Sequence, residues 1–305
     1  MNETKKDEGR GTFEFLKNWG DSMTGWTERW IPDAFVIVII LSFLTFIFAI
    51  IWGFKPEVGL GTRAYESVLA WGKGFWELLA FAMQMCLIMM TGYILACSPP
   101  VRRLLDGLSG WSNPEKPWQA ILVMSLFSMV AAWLNWGLSL IASAMLALFI
   151  VKRNPKVDYR LLVAAAYLGL GCTWHAGLSG SATLLVATPD NFLIKGKLLA
   201  ATIPVADTIF HPFNLILTVI IIAVVSILMV MMHPRPEKVF VVKPELMNQL
   251  KLYEAPPKPA QWESPSEWMN WWPGFNLIVS IGGLIWLIWH FSTKGMDLNL
   301  NVINF

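Results

Sequence analysis

The sequence predicts an all-α polytopic membrane protein. Of its 305 residues, 55% are hydrophobic and only 14% are charged, and the mean hydropathy of +0.53 is too high for an ordinary soluble protein. Apolar runs of membrane-spanning length alternate with short segments that hold most of the charges. The 23 basic and 21 acidic residues form no basic patch, which argues against a nucleic-acid partner. The lipid bilayer is the expected surrounding.

The first 33 residues are predicted to lie on the cytoplasmic side or in the membrane interface. Acidic residues precede any apolar run, which excludes the pattern of a cleaved signal peptide. Aromatic and methionine residues recur at the spacing of one helix face and favour an interfacial amphipathic helix, although two glycines in the segment leave a flexible tail as the alternative. This face consists of Phe15, Trp19, Met23, Trp26 and Trp30.

Four continuous apolar segments are predicted to be complete membrane spans. Each is close to the length that a bilayer core of roughly 30 Å requires, and the last one is short but framed by tryptophans, which favour the interface. The predicted spans are Ala34 to Trp52, Phe75 to Ala96, Pro212 to Met232 and Phe275 to His290.

The apolar segment from Trp118 to Val151 does not fit a simple span. Its 34 residues would make a helix of about 51 Å, too long for one crossing, whereas two crossings need about 40 residues and a turn. Asn135, Trp136 and Gly137 interrupt it in the middle. We therefore predict a re-entrant hairpin of two half-helices whose polar tip lines a watery cavity. One long tilted helix is the alternative.

A second interruption is predicted between residues 159 and 188. Four glycines and several polar residues break this apolar segment, most densely from Cys172 to Ser181. The segment is therefore predicted to be a broken helix.

The distribution of basic residues supports the hairpin. With the amino terminus inside and both ends of the hairpin on one side, the inner segments hold 17 Lys and Arg residues and the outer segments 6. A single crossing between Trp118 and Val151 would change these counts to 11 and 12. Because Lys and Arg accumulate on the cytoplasmic side, the hairpin topology is favoured.

Residues 233–274 are predicted to be a cytoplasmic linker. Eight prolines interrupt this segment, and at that density they should block regular helix and keep the chain extended. Residues 34–232 before it form the predicted first transmembrane repeat, with the hairpin at 118–151 and the broken helix at 159–188. Residues 275–305 follow as the first helix of a second, incomplete repeat.

The two interruptions are the candidate binding site. Where helices break at membrane depth, free N–H groups can bind anions and unwound carbonyls can bind cations. Small and polar residues cluster at both breaks; tight helix packing is the alternative explanation for those at the second. The candidate substrate or ion ligands are Asn135, Gly137, Ser139, Ser179, Gly180, Ser181 and Thr183.

Two further polar residues, His175 and Gln84, are candidates, and each could have a structural role instead. His175 is a titratable group beside the second break and could carry a proton, but a lone histidine next to Trp174 is more often a packing residue. Gln84 falls in the middle of a predicted span, where it can serve either the site or helix–helix contact.

The sequence is also compatible with two other functions. The sequence Gly177-Leu178-Ser179-Gly180 fits a G-x-S-G pattern similar to the nucleophile motif of rhomboid intramembrane proteases, although no histidine on another span falls at mid-depth. A non-transporting membrane subunit is another possibility. Cys86, Cys97 and Cys172 lack a C-x-x-C spacing, so we expect packing roles and no metal site.

Several stretches in consecutive order resemble the bacterial short-chain fatty acid transporter family, the carriers of acetoacetate and butyrate within the broader ion-transporter superfamily. These stretches are Arg29 to Asp33, Gly74 to Met85, Asn135 to Gly137, Asp158 and Tyr159, Gly177 to Ser181, Ala187 to Pro189, and Pro204 to Thr208.

The resemblance implies a secondary active transporter of small monocarboxylates, coupled to H⁺ or Na⁺ and without another cofactor. It also implies two inverted repeats, a bacterial cytoplasmic membrane location and the possibility of a homodimer. The chain would correspond to the N-terminal two-thirds of a family member.

Overall fold

The computed structural model describes residues 18–20, 22–27, 29–74, 76, 79–234, 236–242, 264–295 and 297–304. Within these residues the regular structure is helical, and none of it is strand. The α-helices are α1 (Ala34–Trp52), α2 (Leu60–Gly74), α3 (Leu79–Cys97), α4 (Pro99–Ser109), α5 (Trp118–Leu134), α6 (Trp136–Arg153), α7 (Tyr159–Leu168), α8 (Ser181–Ala187), α9 (Phe192–Lys195), α10 (Pro212–Met231), α11 (Pro265–Trp271), α12 (Gly274–Lys294) and α13 (Leu300–Asn304).

Most predicted spans agree closely with these helices. α1 has the predicted bounds, α10 ends one residue early, and α12 extends beyond the predicted Phe275 to His290 at both ends. The span predicted to begin at Phe75 is described as a helix only from Leu79, and α3 bends by 68° into α4. In the described part of the chain, five helical segments are long and apolar enough to cross a membrane, or six if the bent pair counts as one.

The chain forms two compact units, Met1–Cys86 and Leu87–Phe305. In the first unit the described residues 18–20, 22–27 and 29–30 are helical, and Trp19 and Trp30 are exposed, in line with the predicted amphipathic helix. Phe15 lies outside the described residues. α1 begins at Asp33, whose side chain accepts a hydrogen bond from the backbone N–H of Phe35.

Arg63 on α2 organises the connection between α1 and α2. Its guanidinium group donates to the carbonyl oxygens of Val58, Lys55 and Pro56 at 2.7 to 3.1 Å, and to that of Ile50 at 3.4 Å. The Ile50 carbonyl belongs to the last turn of α1, where cations are favoured by the helix dipole. Arg63 therefore has a structural role in this unit.

The predicted reversal of the chain at Asn135 is present. The hydroxyl of Ser139 donates to the carbonyl oxygen of Ser128 at 2.8 Å, whereas eleven residues of continuous helix would separate the two by about 16 Å. α5 and α6 thus run back along each other, with Asn135 as the single non-helical residue between them.

The arms of this hairpin have the lengths that the 34-residue segment predicts. α5 has 17 residues and α6 has 18, which corresponds to about 26 and 27 Å against a bilayer core of roughly 30 Å. The turn takes up only one residue, so nearly the whole segment is helix.

The predicted broken helix is also present, and its interruption has two parts. α7 runs into a π-helix, Gly169–Thr173, and then into a 3₁₀ turn, Trp174–Ala176, before α8 begins. A π-helix within an α-helix is rare and frequently marks a functional site. The sequence predicted the break but not this change of helix type.

α5 is the centre of the second unit. It packs against α6, α7, the π-helix and α10, and its buried side chains include Ile121, Met124 and Met129. Ser128 on α5 donates to the carbonyl oxygen of Ala165 at 2.7 Å, so a buried hydroxyl holds α7 against the hairpin. Because the hairpin packs against other helices, the backbone at its interruption is surrounded by protein, where it can find hydrogen-bond partners.

The predicted extended linker contains helix where the structure describes it. Residues 243–263 lie outside the described part, but Pro236–Lys238 forms a 3₁₀ turn and α11 begins at Pro265. Proline is compatible with the first position of a helix, and Ser264 supplies the cap by accepting from the N–H of Glu267. The expectation that proline excludes helix throughout this segment is therefore wrong.

The start of this linker is attached to the loop before α7. Asp158 is only 3% exposed; one carboxylate oxygen caps α7 at the N–H of Leu161 (2.9 Å), and the other accepts from the N–H of Phe240 (2.8 Å). The carbonyl oxygen of Phe240 accepts from the N–H of Tyr159 at 3.0 Å. The guanidinium carbon of Arg160 lies 5.0 Å from the centre of the Phe240 ring. We call these contacts the Asp158 clasp.

The hairpin predicts a definite topology. Lys116→Cys and Lys152→Cys, which lie at the two ends of the hairpin, should react with a membrane-impermeant maleimide from the same side of the membrane. Lys195→Cys, between α8 and α10, should react from the other side and serves as the control. The measurement is labelling of intact cells and of inverted vesicles in a background without native cysteines. Labelling of positions 116 and 152 from opposite faces would contradict the hairpin topology.

Candidate functional site

The two interruptions meet and satisfy each other's backbone groups. The N–H of Leu178, in the broken helix, donates to the carbonyl oxygen of Trp133 at 2.7 Å. In return, the N–H of Trp136, at the start of α6, donates to the hydroxyl of Ser179 at 2.9 Å. These two bonds join residues more than forty positions apart. They form one junction, which we call the tip junction.

Gly177 allows the close approach on which the tip junction depends. A Cβ atom at this position would collide with the backbone of Trp133. That backbone includes the carbonyl group that accepts the bond from Leu178, so neither side can move away without loss of the bond. The packing alternative for the second break therefore applies to Gly177.

Asn135 shapes the turn of the hairpin. Its backbone is extended, with φ −153° and ψ 117°, and its side-chain oxygen accepts from the N–H of Leu138 at 2.9 Å. Asparagine is among the residues preferred at such a cap. The cap leaves the amino end of α6, with the positive end of its dipole, at the tip junction.

Gly137 is held against α3. A Cβ atom on Gly137 would lie 2.7 Å from the carbonyl oxygen of Ile88, and one on Gly92 would lie 2.6 Å from the carbonyl carbon of Gly137. Only two facing glycines allow this approach. Gly92 was not among the residues predicted from the sequence, because its partner lies on a different helix.

Ser139 has a structural use that the sequence did not reveal. Its hydroxyl is 2% exposed and donates to Ser128 within the hairpin. Thr173 in the π-helix plays a similar part, since its hydroxyl donates to the carbonyl oxygen of Met129 at 2.8 Å. Buried hydroxyls thus bind the hairpin arms to each other and to the broken helix.

Three oxygen atoms lie close to the position that a Cβ atom of residue 180 would take. Such an atom would lie 2.8 Å from the carbonyl oxygen of His175, 2.8 Å from the hydroxyl of Thr183 and 3.1 Å from the carbonyl oxygen of Gly177. Glycine avoids these close contacts. Carbonyl and hydroxyl oxygens are ligands that hard cations prefer, and we call this group the Gly180 oxygen cluster.

Asn214 was missed by the sequence analysis. Its side-chain nitrogen donates to the carbonyl oxygens of Ala176 at 3.0 Å and Ile209 at 2.9 Å, so α10 supports the 3₁₀ turn of the broken helix. Its position in the first turn of a long apolar span, after Pro212, was the available signal.

His175, Ser181 and Gln84 lie outside the tip junction. His175 is exposed in the 3₁₀ turn, with its ring 6.2 Å from that of Trp174. Ser181 is half-buried at the start of α8. Gln84 is half-buried on the part of α3 that belongs to the first compact unit. The tip junction itself therefore contains Asn135, Gly137 and Ser179, with Gly180 directly after it.

The contacts of Ser179 do not support the protease alternative. The side chain is 2% exposed, and its hydroxyl accepts the N–H of Trp136. In the part of the chain that the structure describes, this hydroxyl makes no hydrogen bond to a histidine. A serine nucleophile requires such an activating base.

The apolar helices and the two interruptions that meet between them define an all-α polytopic membrane protein. A family model described as "Short chain fatty acid transporter" matches residues 15–305. The chain belongs to this family, whose name is that of a transporter rather than an enzyme.

Two curated relatives carry the name "Putative short-chain fatty acid transporter". The protein from Escherichia coli (strain K12) is 38% identical over 283 residues, which is 92% of this chain and 61% of the relative. The one from Haemophilus influenzae (strain ATCC 51907 / DSM 11121 / KW20 / Rd) is 33% identical over 229 residues, 74% of this chain and 49% of the relative. No solved structure gives a significant match. The predicted share of two-thirds is therefore wrong, because the chain spans only about half to three-fifths of these relatives.

The tip junction predicts a difference between two glycines of the broken helix. Gly177→Ala should destabilise the protein by about 1–3 kcal/mol, because the new methyl group overlaps the Trp133 backbone. Gly171→Ala is the matched control, since a Cβ atom there has no neighbour within 4 Å. Thermal unfolding in detergent measures both. A Gly177→Ala protein as stable as the Gly171→Ala protein would contradict the close approach.

Proposed function

We propose that the protein is a secondary active transporter of short-chain fatty acids or similar small monocarboxylates, with the tip junction as part of its binding site. The observation that carries the proposal is the meeting of two helix interruptions in a member of this family. Interrupted helices near the membrane midplane are where many secondary transporters bind substrate and coupling ion.

The chemistry of the junction suits a small anion. Between Trp118 and Val151, and between Leu161 and Thr188, the sequence contains no Lys or Arg. A carboxylate bound here would rely on neutral donors and on the positive amino end of α6, worth about half an elementary charge. Such a site would bind a single carboxylate without a buried Lys or Arg. The proposed ligands of this site, or their supports, are Asn135, Gly137, Ser139, Ser179, Gly180, Ser181, Thr183 and His175. Gln84 remains a separate candidate in the first unit.

The Gly180 oxygen cluster favours Na⁺ as the coupling ion. It combines two carbonyl oxygens of an unwound segment with one hydroxyl, a combination that suits a hard cation. A bound cation at Gly180 would also offset the charge of a carboxylate at the tip junction. Coupling to H⁺ through His175, the titratable group nearest the break, is the second candidate.

The membrane location and topology of the protein are proposed on the same basis. We place it in the bacterial cytoplasmic membrane with its amino terminus inside, with residues 34–232 as one inverted repeat and the hairpin entering the membrane from the inner side. Residues 233–274 would then be the cytoplasmic linker to a second repeat that begins with residues 275–305. A homodimer is part of the same proposal.

Transport is tested with the complete protein in proteoliposomes. An inward Na⁺ gradient should drive accumulation of labelled butyrate above the level in protein-free liposomes, whereas a pH gradient alone should give only the passive level that protein-free liposomes also reach. Equal Na⁺ and pH on both sides is the control and should give equilibration only. Uptake no greater than in protein-free liposomes under every gradient would contradict the proposed substrate, and protein-dependent accumulation driven by pH alone would replace Na⁺ by H⁺.

The oxygen cluster is tested by Thr183→Val, which removes one oxygen and keeps the shape of the side chain. The Na⁺ concentration for half-maximal uptake should rise about tenfold, the effect of losing roughly 1.4 kcal/mol of binding. Thr188→Val at the other end of α8 is the control; its hydroxyl bonds Leu184 and Leu300 instead. An unchanged Na⁺ dependence in Thr183→Val would remove this residue from the cation site.

A further inference from the structure

Trp136 has a buried donor with no acceptor. Its indole nitrogen Nε1 is shielded from solvent and makes no hydrogen bond within the described part of the chain. An indole nitrogen can only donate. Leaving such a donor buried and unpaired lowers stability, and buried polar groups in native proteins usually have a partner.

This unpaired donor belongs to the tip junction. Trp136 is the first residue of α6, and its backbone N–H is the group that donates to Ser179. The backbone is thereby fixed to the broken helix while the side chain remains without a polar partner. The ring lies 6.4 Å from that of Trp174, tilted by 58°, a distance at which aromatic pairs attract. The Trp136 ring thus lies near the 3₁₀ turn that begins at Trp174.

We propose that the indole N–H of Trp136 donates a hydrogen bond to a carboxylate oxygen of the transported acid. The inference rests on the proposed function and adds to it a named donor for the substrate's charged group. A carboxylate brings acceptors and no donors, which is the complement of an unpaired N–H. Hydrogen bonds to an ionised acceptor are about twice as strong as those between neutral groups.

Both interrupted segments lack Lys and Arg over residues 118–151 and 161–188, so an anion bound there would depend on other donors. Apart from the titratable His175, the donors that the hairpin and broken helix offer to an anion there are neutral. Several are already used: the N–H groups of Trp136, Leu138 and Leu178 bond Ser179, Asn135 and Trp133. The indole N–H is a side-chain donor at the same place that remains unused. The ring that carries it also offers an apolar surface to a short alkyl chain.

The selectivity follows from the cost of the unpaired donor. A ligand that supplies an oxygen acceptor removes the cost, whereas a ligand of the same shape without an acceptor leaves it in place. A site of this kind discriminates by hydrogen bonding more strongly than an apolar pocket does by size. Trp136 is therefore assigned to recognition of the carboxylate.

The test separates the N–H from the ring. Trp136→Phe removes the donor and keeps an aromatic side chain. Replacement of Trp136 by 3-benzothienylalanine keeps the size and shape of the bicyclic ring with sulfur in place of the N–H. Trp174→Phe is the matched control, because it alters the other ring of the pair. Each complete protein is assayed in proteoliposomes for labelled butyrate uptake under a Na⁺ gradient, and KM and maximal rate are measured separately.

We expect both changes at position 136 to raise the KM for butyrate tenfold or more, and Trp174→Phe to change it less than threefold. The benzothienyl variant decides the case if Trp136→Phe fails to fold. An unchanged KM in the benzothienyl variant overturns the assignment, as does an equal rise in Trp174→Phe. In either event, normal uptake by the wild type leaves the proposed function intact. Absence of butyrate uptake by the wild type overturns both.

Discussion

The pairing of backbone groups between the two interruptions is the interaction on which the rest of the second unit depends. A helix that stops inside an apolar environment leaves N–H and carbonyl groups without partners, at a cost of several kcal/mol each in lipid. Here the carbonyl of Trp133 accepts from Leu178, and the N–H of Trp136 donates to Ser179. Each break therefore supplies what the other lacks, and neither is satisfied alone.

The supporting contacts follow from this pairing. Gly177 lets the broken helix reach Trp133, Gly92 and Gly137 let α3 close on the turn, and buried hydroxyls tie the arms together. Asn214 supports the 3₁₀ turn from α10. Small residues and hydroxyls are common in membrane helix packing, where apolar side chains gain little from leaving lipid. In this junction they also bring polar groups to a place where ions and carboxylates could be recognised.

Much of the fold was predictable because the relevant information is local. The length of an apolar run and the position of its polar residues gave α1, α10, the turn at Asn135 and the interruption before α8. The hairpin arms also followed from the segment length, because the turn at Asn135 uses a single residue. The helix at Pro265 was missed because proline at a first helical position resembles proline in a loop.

The arrangement of the candidate site was less predictable, because it depends on partners far apart in sequence. The composition of both breaks indicated polar groups but not that Trp133 would meet Leu178, or that the hydroxyl of Ser139 would bond Ser128. The oxygens around Gly180 come largely from the backbone, whose carbonyls every residue carries. The amino-acid types therefore indicate where the backbone is exposed, but they do not show in which direction its carbonyl groups point.

The Asp158 clasp has a mechanical consequence for the segment that follows it. The N–H and the carbonyl of Phe240 are both hydrogen-bonded to residues at the start of α7. The chain that follows α10 is therefore attached to the protein at this loop. A force on the chain after Phe240 would act on the carboxylate of Asp158 and, through it, on the first turn of α7. The same carboxylate caps α7, so tension in the connector and the stability of that turn are linked through a single side chain.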